Sequence, residues 1–333
     1  MKTKKIITLL IGLSLLSACS DYGDITTLID GNSVNKDKEE NVEPASINGT
    51  YYLKNVGSQK FLAAGYKWGT HAIVNEIGLD FVIASDNDKF TLYSDVSNGG
   101  GMNYLNGEYV DGAAFGWTIN KTANGYYTIS NGTKLLTTYM ASLVMLVASD
   151  GSDKNSQWEL VTLADRMATL NQATAEKGVD ASFLIKGATF SRNDLRNSAW
   201  THSKKGGNET FAGPDEERTS YGCEYWNNTF DVYQTIENLP NGIYEFTIAG
   251  FGTNGTTSIY ANDTKKAFIN TTAAADFGTA LDDIAKGKYQ GNTTGKVAVE
   301  NGTLKIGVKR TTNLDKDWTV FDDARLTYYG SAQ

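Results

Sequence analysis

Cysteine, histidine and proline are the scarce residues of this chain: two, two and three in 333. Each scarcity removes a class of protein. With one cysteine near the start (Cys19) and one far along (Cys223), no disulfide framework can form. His71 and His202 stand far apart, and no His/Cys/Asp spacing fits a zinc site. There is no Gly-x-Ser-x-Gly elbow and no glycine loop ending in Lys-Ser/Thr, so the common serine-hydrolase and phosphate-binding signatures are missing. Positive charge is also short. Thirty Lys and Arg stand against 38 Asp and Glu, a formal charge of −8, which argues against a nucleic-acid partner and against electrostatic attachment to anionic lipid. After the first 20 residues no apolar run is long enough to cross a membrane.

The one long apolar run lies at the N-terminus. Lys2, Lys4 and Lys5 form a basic head, Ile6 to Leu16 is apolar apart from Thr8, Gly12 and Ser14, and the small pair Ser17-Ala18 precedes Cys19. That order reads as a secretory signal, residues 1–18, too short to span a bilayer. Leu16-Ser17-Ala18-Cys19 resembles the lipobox of bacterial lipoproteins. The resemblance implies acylation of the Cys19 thiol, and a protein anchored by lipid in the outer membrane and facing the cell surface. The plainer alternative is an ordinary signal peptide followed by a coincidental cysteine. Residues 19–46 read as a flexible tether, because the charge run from Asn35 to Asn41 cannot bury enough apolar surface to fold. Asp21 and Asp24 loosely resemble the acidic surface-export signals of some lipoproteins.

The remaining chain is rich in Tyr (18), Phe (13) and Gly (34), in short alternating runs between Gly/Asn turns, which predicts an all-β protein. Residues 47–163 contain a repeat. Tyr51-Tyr52-Leu53, Phe90-Thr91-Leu92 and Tyr126-Tyr127-Thr128 open three units, and Phe81, Trp117 and Trp158, 36 and 41 residues apart, head their closing strands. Three four-strand units with one inward aromatic each are what a β-trefoil requires, and the segment resembles ricin-like trefoil domains. A capping box at Thr162 and Asp165 starts a linker helix over 164–178, with Leu163, Met167 and Leu170 on one face and Gly178 as the stop. Residues 179–330 alternate again. Val297-Ala298-Val299 and Leu304-Lys305-Ile306 flank Asn301-Gly302 as a predicted hairpin with Lys305 and Lys309 outside, and the whole reads as a β-sandwich with almost no helix.

Three strings in this second half carry a further resemblance: Thr229 to Ile236, the turn Leu239-Pro240-Asn241-Gly242, and Asp317-Trp318-Thr319-Val320-Phe321-Asp322-Asp323-Ala324-Arg325-Leu326. They are similar to the galactose-binding-like jelly-roll modules of polysaccharide-utilising Gram-negative bacteria. The resemblance implies a lectin-like, carbohydrate-binding role. A sugar ring stacks its apolar face on a flat aromatic and offers hydroxyls to amides and guanidinium groups. The candidate ligand residues are therefore Trp200, Tyr225, Trp226, Asn227, Arg310 and Trp318, with Asn228 beside them, and, in the first half, Tyr66 and Trp68 with His71. The competing reading makes Trp200 and Trp226 core aromatics and leaves Trp318 closing a sheet edge. Gln157-Trp158 lacks the spacer of the Gln-x-Trp lectin motif, so no trefoil sugar pocket is carried over. In the last strand Val320, Asp322, Ala324, Leu326 and Tyr328 alternate onto one face, which would bury the Asp322 carboxylate. A buried carboxylate needs a partner. Sandwich modules of this kind carry structural Ca²⁺, so Asp322 is the candidate metal ligand, and a backbone or Arg partner is the alternative.

The leading expectation is a non-catalytic protein binding a polysaccharide or host glycan, monomeric, attached to the membrane only through its lipid. A protein-binding adhesin or envelope assembly component is the first alternative. A glycoside hydrolase or lyase is the second, since two suitably spaced carboxylates would suffice for it. No catalytic residue is assigned.

Overall fold

The computed structural model describes residues 47–94, 103–140, 142–190, 200–205, 208–210, 222–271 and 274–331, all within one compact unit, Ser46–Gln333. The signal segment, Cys19 and the tether lie outside the described residues. The fold is mostly β.

The first twelve strands are β1 (Gly49–Asn55), β2 (Phe61–Tyr66), β3 (His71–Asn75), β4 (Asp80–Asp86), β5 (Lys89–Tyr93), β6 (Tyr104–Asn106), β7 (Tyr109–Gly112), β8 (Thr118–Lys121), β9 (Tyr127–Asn131), β10 (Lys134–Tyr139), β11 (Leu143–Ala148) and β12 (Trp158–Val161). Antiparallel pairing links β1 to β4, β4 to β5, β8 to β9, β9 to β12 and β12 back to β1. Phe90 and Trp117 exchange backbone hydrogen bonds of 2.8 Å, so β5 and the start of β8 complete a ring of six strands. The other six form the hairpins β2–β3, β6–β7 and β10–β11.

The repeat governs the interior of this ring. Phe81, Trp117 and Trp158 are fully buried beside Leu62, Leu105 and Leu136. A buried indole must place its N–H. Trp117 Nε1 donates to the Leu105 carbonyl and Trp158 Nε1 to the Leu136 carbonyl, both at 2.9 Å. Phe81 has no N–H, and the equivalent Leu62 carbonyl accepts from the Leu79 amide instead, at 2.8 Å.

The hairpins join less evenly. Hairpin β2–β3 meets β6–β7 through Ala72 N–H to Glu108 O and Val110 N–H to Thr70 O, and meets β10–β11 through Val74 N–H to Ser142 O. Between β6–β7 and β10–β11, the Glu108 side chain takes the place of a backbone acceptor: its Oε1 receives the Leu146 N–H at 2.8 Å. Glu108→Ala should therefore cost about 1–2 kcal/mol in urea unfolding by leaving a part-buried donor unmatched. Glu108→Gln, which keeps an acceptor, should cost less than half as much. Equal losses would assign the effect to charge rather than to the hydrogen bond.

Helix α1 (Leu163–Thr169) starts on the predicted capping box, with Thr162 Oγ1 accepting from Asp165 N and the Asp165 carboxylate from Thr162 N. It is shorter than the expected 164–178. Residues 170–172 tighten into a 3-10 turn as Leu170 enters the core, and Ala173 is extended. The buried face also differs from expectation: Leu163 is exposed, and Arg166 is the helix residue drawn inside.

The second half pairs two sheets. One contains β13 (Val179–Asp180), β15 (Asn208–Thr210), β16 (Cys223–Trp226), β18 (Gly242–Gly252), β21 (Asn292–Val299) and β23 (Trp318–Tyr328). The other contains β14 (Thr201–Lys205), β17 (Thr229–Ile236), β19 (Thr257–Ala261), β20 (Thr264–Ala267) and β22 (Leu304–Arg310). Tyr225, Tyr244, Phe246 and Phe321 from the first sheet share a core with Phe230, Val232, Ile306 and Val308 from the second, which makes a sandwich.

Two expectations fail here. Asn301-Gly302 joins no hairpin, because β21 and β22 belong to opposite sheets. The turn is an arch lying beside the Leu239–Gly242 arch, with Leu239 N–H bonded to Gly302 O (2.9 Å) and Gly302 N–H to Asn241 Oδ1 (3.0 Å). Both flanking strands are apolar because both face the shared core from opposite sides. Helix was also expected to be nearly absent, yet α2 (Phe277–Ala285) is capped by Asp276 and lays Phe277, Ala280, Leu281 and Ile284 over Ala249, Phe251, Trp318 and Val320 on the outer face of the first sheet.

Candidate functional site

Three connections meet at one end of the sandwich: Asn227-Asn228 between β16 and β17, Thr253–Thr256 between β18 and β19, and 311–317 between β22 and β23. Two buried charged residues hold them. Asp317 Oδ1 accepts from Asn254 Nδ2 at 2.6 Å, and Oδ2 accepts from Thr256 Oγ1 at 3.1 Å and from the Leu314 amide at 2.7 Å. Its carbonyl receives the Asn227 N–H at 2.7 Å. Arg310, at the end of β22, donates Nε–H to Asn228 O (2.7 Å), Nη1–H to Thr319 Oγ1 (3.2 Å), and Nη2–H toward the carbonyls of Tyr225 and Asp317 (3.4 Å each). Burial pulls the guanidinium below its ordinary pKa, and the Asp317 charge opposes that pull. Arg310, expected from the sequence to contact ligand, is instead buried beneath the site; it is the post under the backbone that carries Trp226 and Asn227.

Alternation along β16 sorts its aromatics. Tyr225 points inward, stacked 4.0 Å from Phe230, so its place among the ligand residues is withdrawn. Trp226 points outward and is 39% exposed. Directly across from it in β23 stands Trp318, with ring centroids 6.4 Å apart in an edge arrangement. Trp318 is only 8% exposed. Its indole N–H donates to Glu224 Oε1 at 2.7 Å, and its ring packs edge-on against Phe251 at 5.1 Å. It is a wall behind Trp226 rather than a stacking surface. Asn227 takes the left-handed backbone (φ 51°) that an asparagine tolerates, and its Oδ1 faces Asn313 Nδ2 at 3.4 Å. The site is thus an exposed indole backed by a fixed one, with a carboxylate and two amides at its margins. Such a set can stack an apolar ring face and exchange hydrogen bonds with hydroxyls.

The other sequence candidates lie elsewhere. Trp200 is core: it stacks on Phe190 at 4.8 Å and donates to Gly187 O at 2.9 Å. Trp68 is about as exposed as Trp226 but sits in the turn between β2 and β3, where its φ is 66°. Tyr66 ends β2, and its side chain lies outside the described residues. His71 is buried edge-on to Tyr109.

The argument for Asp322 as a metal ligand does not survive. Asp323 adopts φ 55°, and the register against β18 slips there by one residue, a β-bulge. The bulge reverses which side chains face inward, so Phe321, not Asp322, shares the core with Ala324, Leu326 and Tyr328. Asp322 is half-buried, with Oδ1 accepting the Asp323 N–H at 2.6 Å. Among the described residues no group of three or more His, Cys, Asp or Glu side chains is placed to hold a metal ion.

Asp317 and Asn313 escaped notice as site residues, because the partners that tie them to the other loops lie about 60 and 90 positions away.

No protein-family model matches the chain, and no curated protein does. Solved structures that resemble it include the carbohydrate-binding module TmCBM61 in complex with β-1,4-galactotriose, at 19% identity over 44% of this chain and 97% of that one, with a TM-score of 0.31. A cleaved adhesin domain of Lys-gingipain from Porphyromonas gingivalis matches at 14% identity over 46% and 97%, TM-score 0.23. An exo-β-1,3-galactanase from Phanerochaete chrysosporium matches at 8% identity over 84% and 68%, TM-score 0.25. Likenesses this slight carry no argument about ligand or activity.

Proposed function

We propose that this chain is a non-catalytic glycan-binding protein, carried at the outer-membrane surface on a lipid attached to Cys19, with its ligand held at Trp226. The reading assigns residues 47–163 to a β-trefoil and 179–330 to a galactose-binding-like jelly roll. The six-strand ring with three hairpins supports the first assignment, and the paired sheets support the second. The observation that carries the function is the exposed Trp226 indole, fixed from behind by Trp318 and flanked by the Asn227 and Asn313 amides. A large aromatic left in water at the end of a rigid sandwich serves binding better than folding. The platform is shallow, so single-site affinity is modest, and many copies on one membrane would raise it by avidity.

The test is a glycan array followed by calorimetry on the full-length chain. Trp226→Ala should weaken binding to the responsive glycan roughly 10- to 100-fold, the range that burying a large apolar side chain is worth. Its melting temperature should stay near that of the native protein. Flat responses across plant, microbial and mucin glycans would remove the reading. A protein partner is the second reading, and a different surface favours it: Tyr139, Met140 and Val147 leave an apolar face of the β10–β11 hairpin in water. Partner capture lost on Met140→Lys and kept on Trp226→Ala would select it.

A further inference from the structure

The outer face of the five-stranded sheet carries a second set of groups that the Trp226 site does not use. In β17, β22 and β19, Tyr233, Gly307 and Tyr260 lie in one row, and Lys265 of β20 continues it. Gly307 explains how the row is built. A Cβ there would come within 2.8 Å of the Tyr260 ring, so the missing side chain lets that ring lie across β22. The phenol reaches the far strand and donates to Asp231 Oδ1 at 2.7 Å. Although it faces outward, Tyr260 is only 3% exposed, because lysines lie over it. Lys309 Nζ is 4.6 Å from its ring centroid, and Lys305 Nζ is 3.7 Å from Tyr233 and 5.9 Å from Tyr260. Among the described residues neither ammonium pairs with a carboxylate.

The sign of this face opposes the rest of the molecule. The chain carries −8 overall, yet this face presents Lys265, Lys305 and Lys309 against Asp231, which is engaged by Tyr260, and Asp263 in the bordering turn. The remaining outward side chains of the inner strands are mostly hydroxyls: Thr229, Thr235 and Ser258. Strand geometry puts Lys305 and Lys309 about 13 Å apart along β22, and Lys265 about 10 Å to the side. We propose that this face binds an extended polysaccharide carrying carboxylate or sulfate groups, with the lysines meeting its charges and Tyr233 and the hydroxyls meeting its rings. A membrane surface fits less well. Among the described residues, none of the exposed large apolar side chains (Trp68, Val82, Tyr139, Met140, Val147, Leu163, Trp226, Leu314) lies on this face to insert into lipid.

The experiment uses the full-length chain with polygalacturonate, dextran sulfate and uncharged dextran, at low and at high salt. Binding is expected to one or both charged polymers and not to dextran, and it should fade as salt screens the lysines. Preference between the two charged polymers identifies the anionic group. Lys305→Gln with Lys309→Gln should weaken binding at least about tenfold, as expected for two lost charge-assisted hydrogen bonds. Both residues are half-exposed, so the fold is not at stake. Lys265→Gln, at an exposed position, should give a smaller loss, and the loss from the double lysine variant should be the same size in a Trp226→Ala background. The proposal is overturned by absent binding, by undiminished binding of the double variant, or by preference for phosphatidylglycerol vesicles or a single-stranded oligonucleotide through the same lysines. Since Trp226 plays no part in this face, failure here leaves the Trp226 reading standing, and the reverse also holds.

Discussion

Arg166→Ala is expected to destabilise the protein by about 3–5 kcal/mol, the scale seen when a buried charged group and its hydrogen bonds are removed. The guanidinium lies 4.5 Å from the Tyr52 ring centroid, 4.1 Å from Phe61 and 4.2 Å from Phe183. It donates to the carbonyls of Ile77 and Glu76 in the loop between β3 and β4. Among the described residues no carboxylate pairs with it. Burial pulls its pKa down to about 10, an effect that neighbouring Tyr52 and Asp180 partly offset. Three ring faces and two carbonyls compensate the cation in place of a counter-ion, and a desolvated cation–π contact is worth up to about 2 kcal/mol. Tyr52 and Phe61 belong to the twelve-stranded part and Phe183 to the segment leading into the sandwich, so the side chain ties the two together through α1. Alanine removes the rings' common partner and orphans two acceptors. Methionine refills the space without a charge to desolvate, and Arg166→Met should lose only about half as much. Urea unfolding followed by tryptophan fluorescence measures both variants. An alanine variant within about 1 kcal/mol of native would mean that the rings close over the gap unaided.

These residues show what the sequence could announce. The spacing of Phe81, Trp117 and Trp158 foretold three buried aromatics, because an inward side chain in each repeat is a local pattern repeated. The capping box at Thr162 was equally legible, since both partners lie within four residues. Arg166 was not. A charged residue on a short helix reads as solvent-facing, and only rings up to 114 positions away make its burial affordable. Glu108 was hidden for the same reason, its partner Leu146 lying 38 residues on. Asp322 misled because alternation was carried straight through a bulge that two consecutive aspartates do not advertise. Helix α2 could have been read, since Asp276 caps it and Phe277, Ala280, Leu281 and Ile284 follow at helical spacing. The hairpin at Asn301-Gly302 was a sound local inference overruled by sheet partnership, which no turn sequence encodes. In the site, the type of residue was legible and its depth was not. Alternation separates Tyr225 from Trp226, but only once the β16 register is anchored against Trp318.

Depth decides the second large effect. Arg310→Ala should both destabilise the protein by about 3 kcal/mol or more and abolish measurable glycan binding, although Arg310 touches no ligand. Its fork reaches the backbone on both sides of the Trp226 strand, at Tyr225 and Asn228, and the carbonyl of Asp317 across from it. Without it the carbonyls of Tyr225, Asn228 and Asp317 each lose a donor, the Asp317 carbonyl keeping only the Asn227 N–H, and the Asn227 turn loses its footing. Lysine should not rescue this. An ammonium keeps the charge, but it cannot present donors in the planar spread that reaches Asn228 O and Thr319 Oγ1 together. Arg310→Lys is therefore expected to retain part of the stability and little of the binding. Trp226→Ala should do the opposite, keeping stability and losing binding. Denaturation and calorimetry on the same three proteins separate the roles. If Arg310→Lys binds as the native chain does, the Trp226 loop holds itself, and Arg310 serves the core alone.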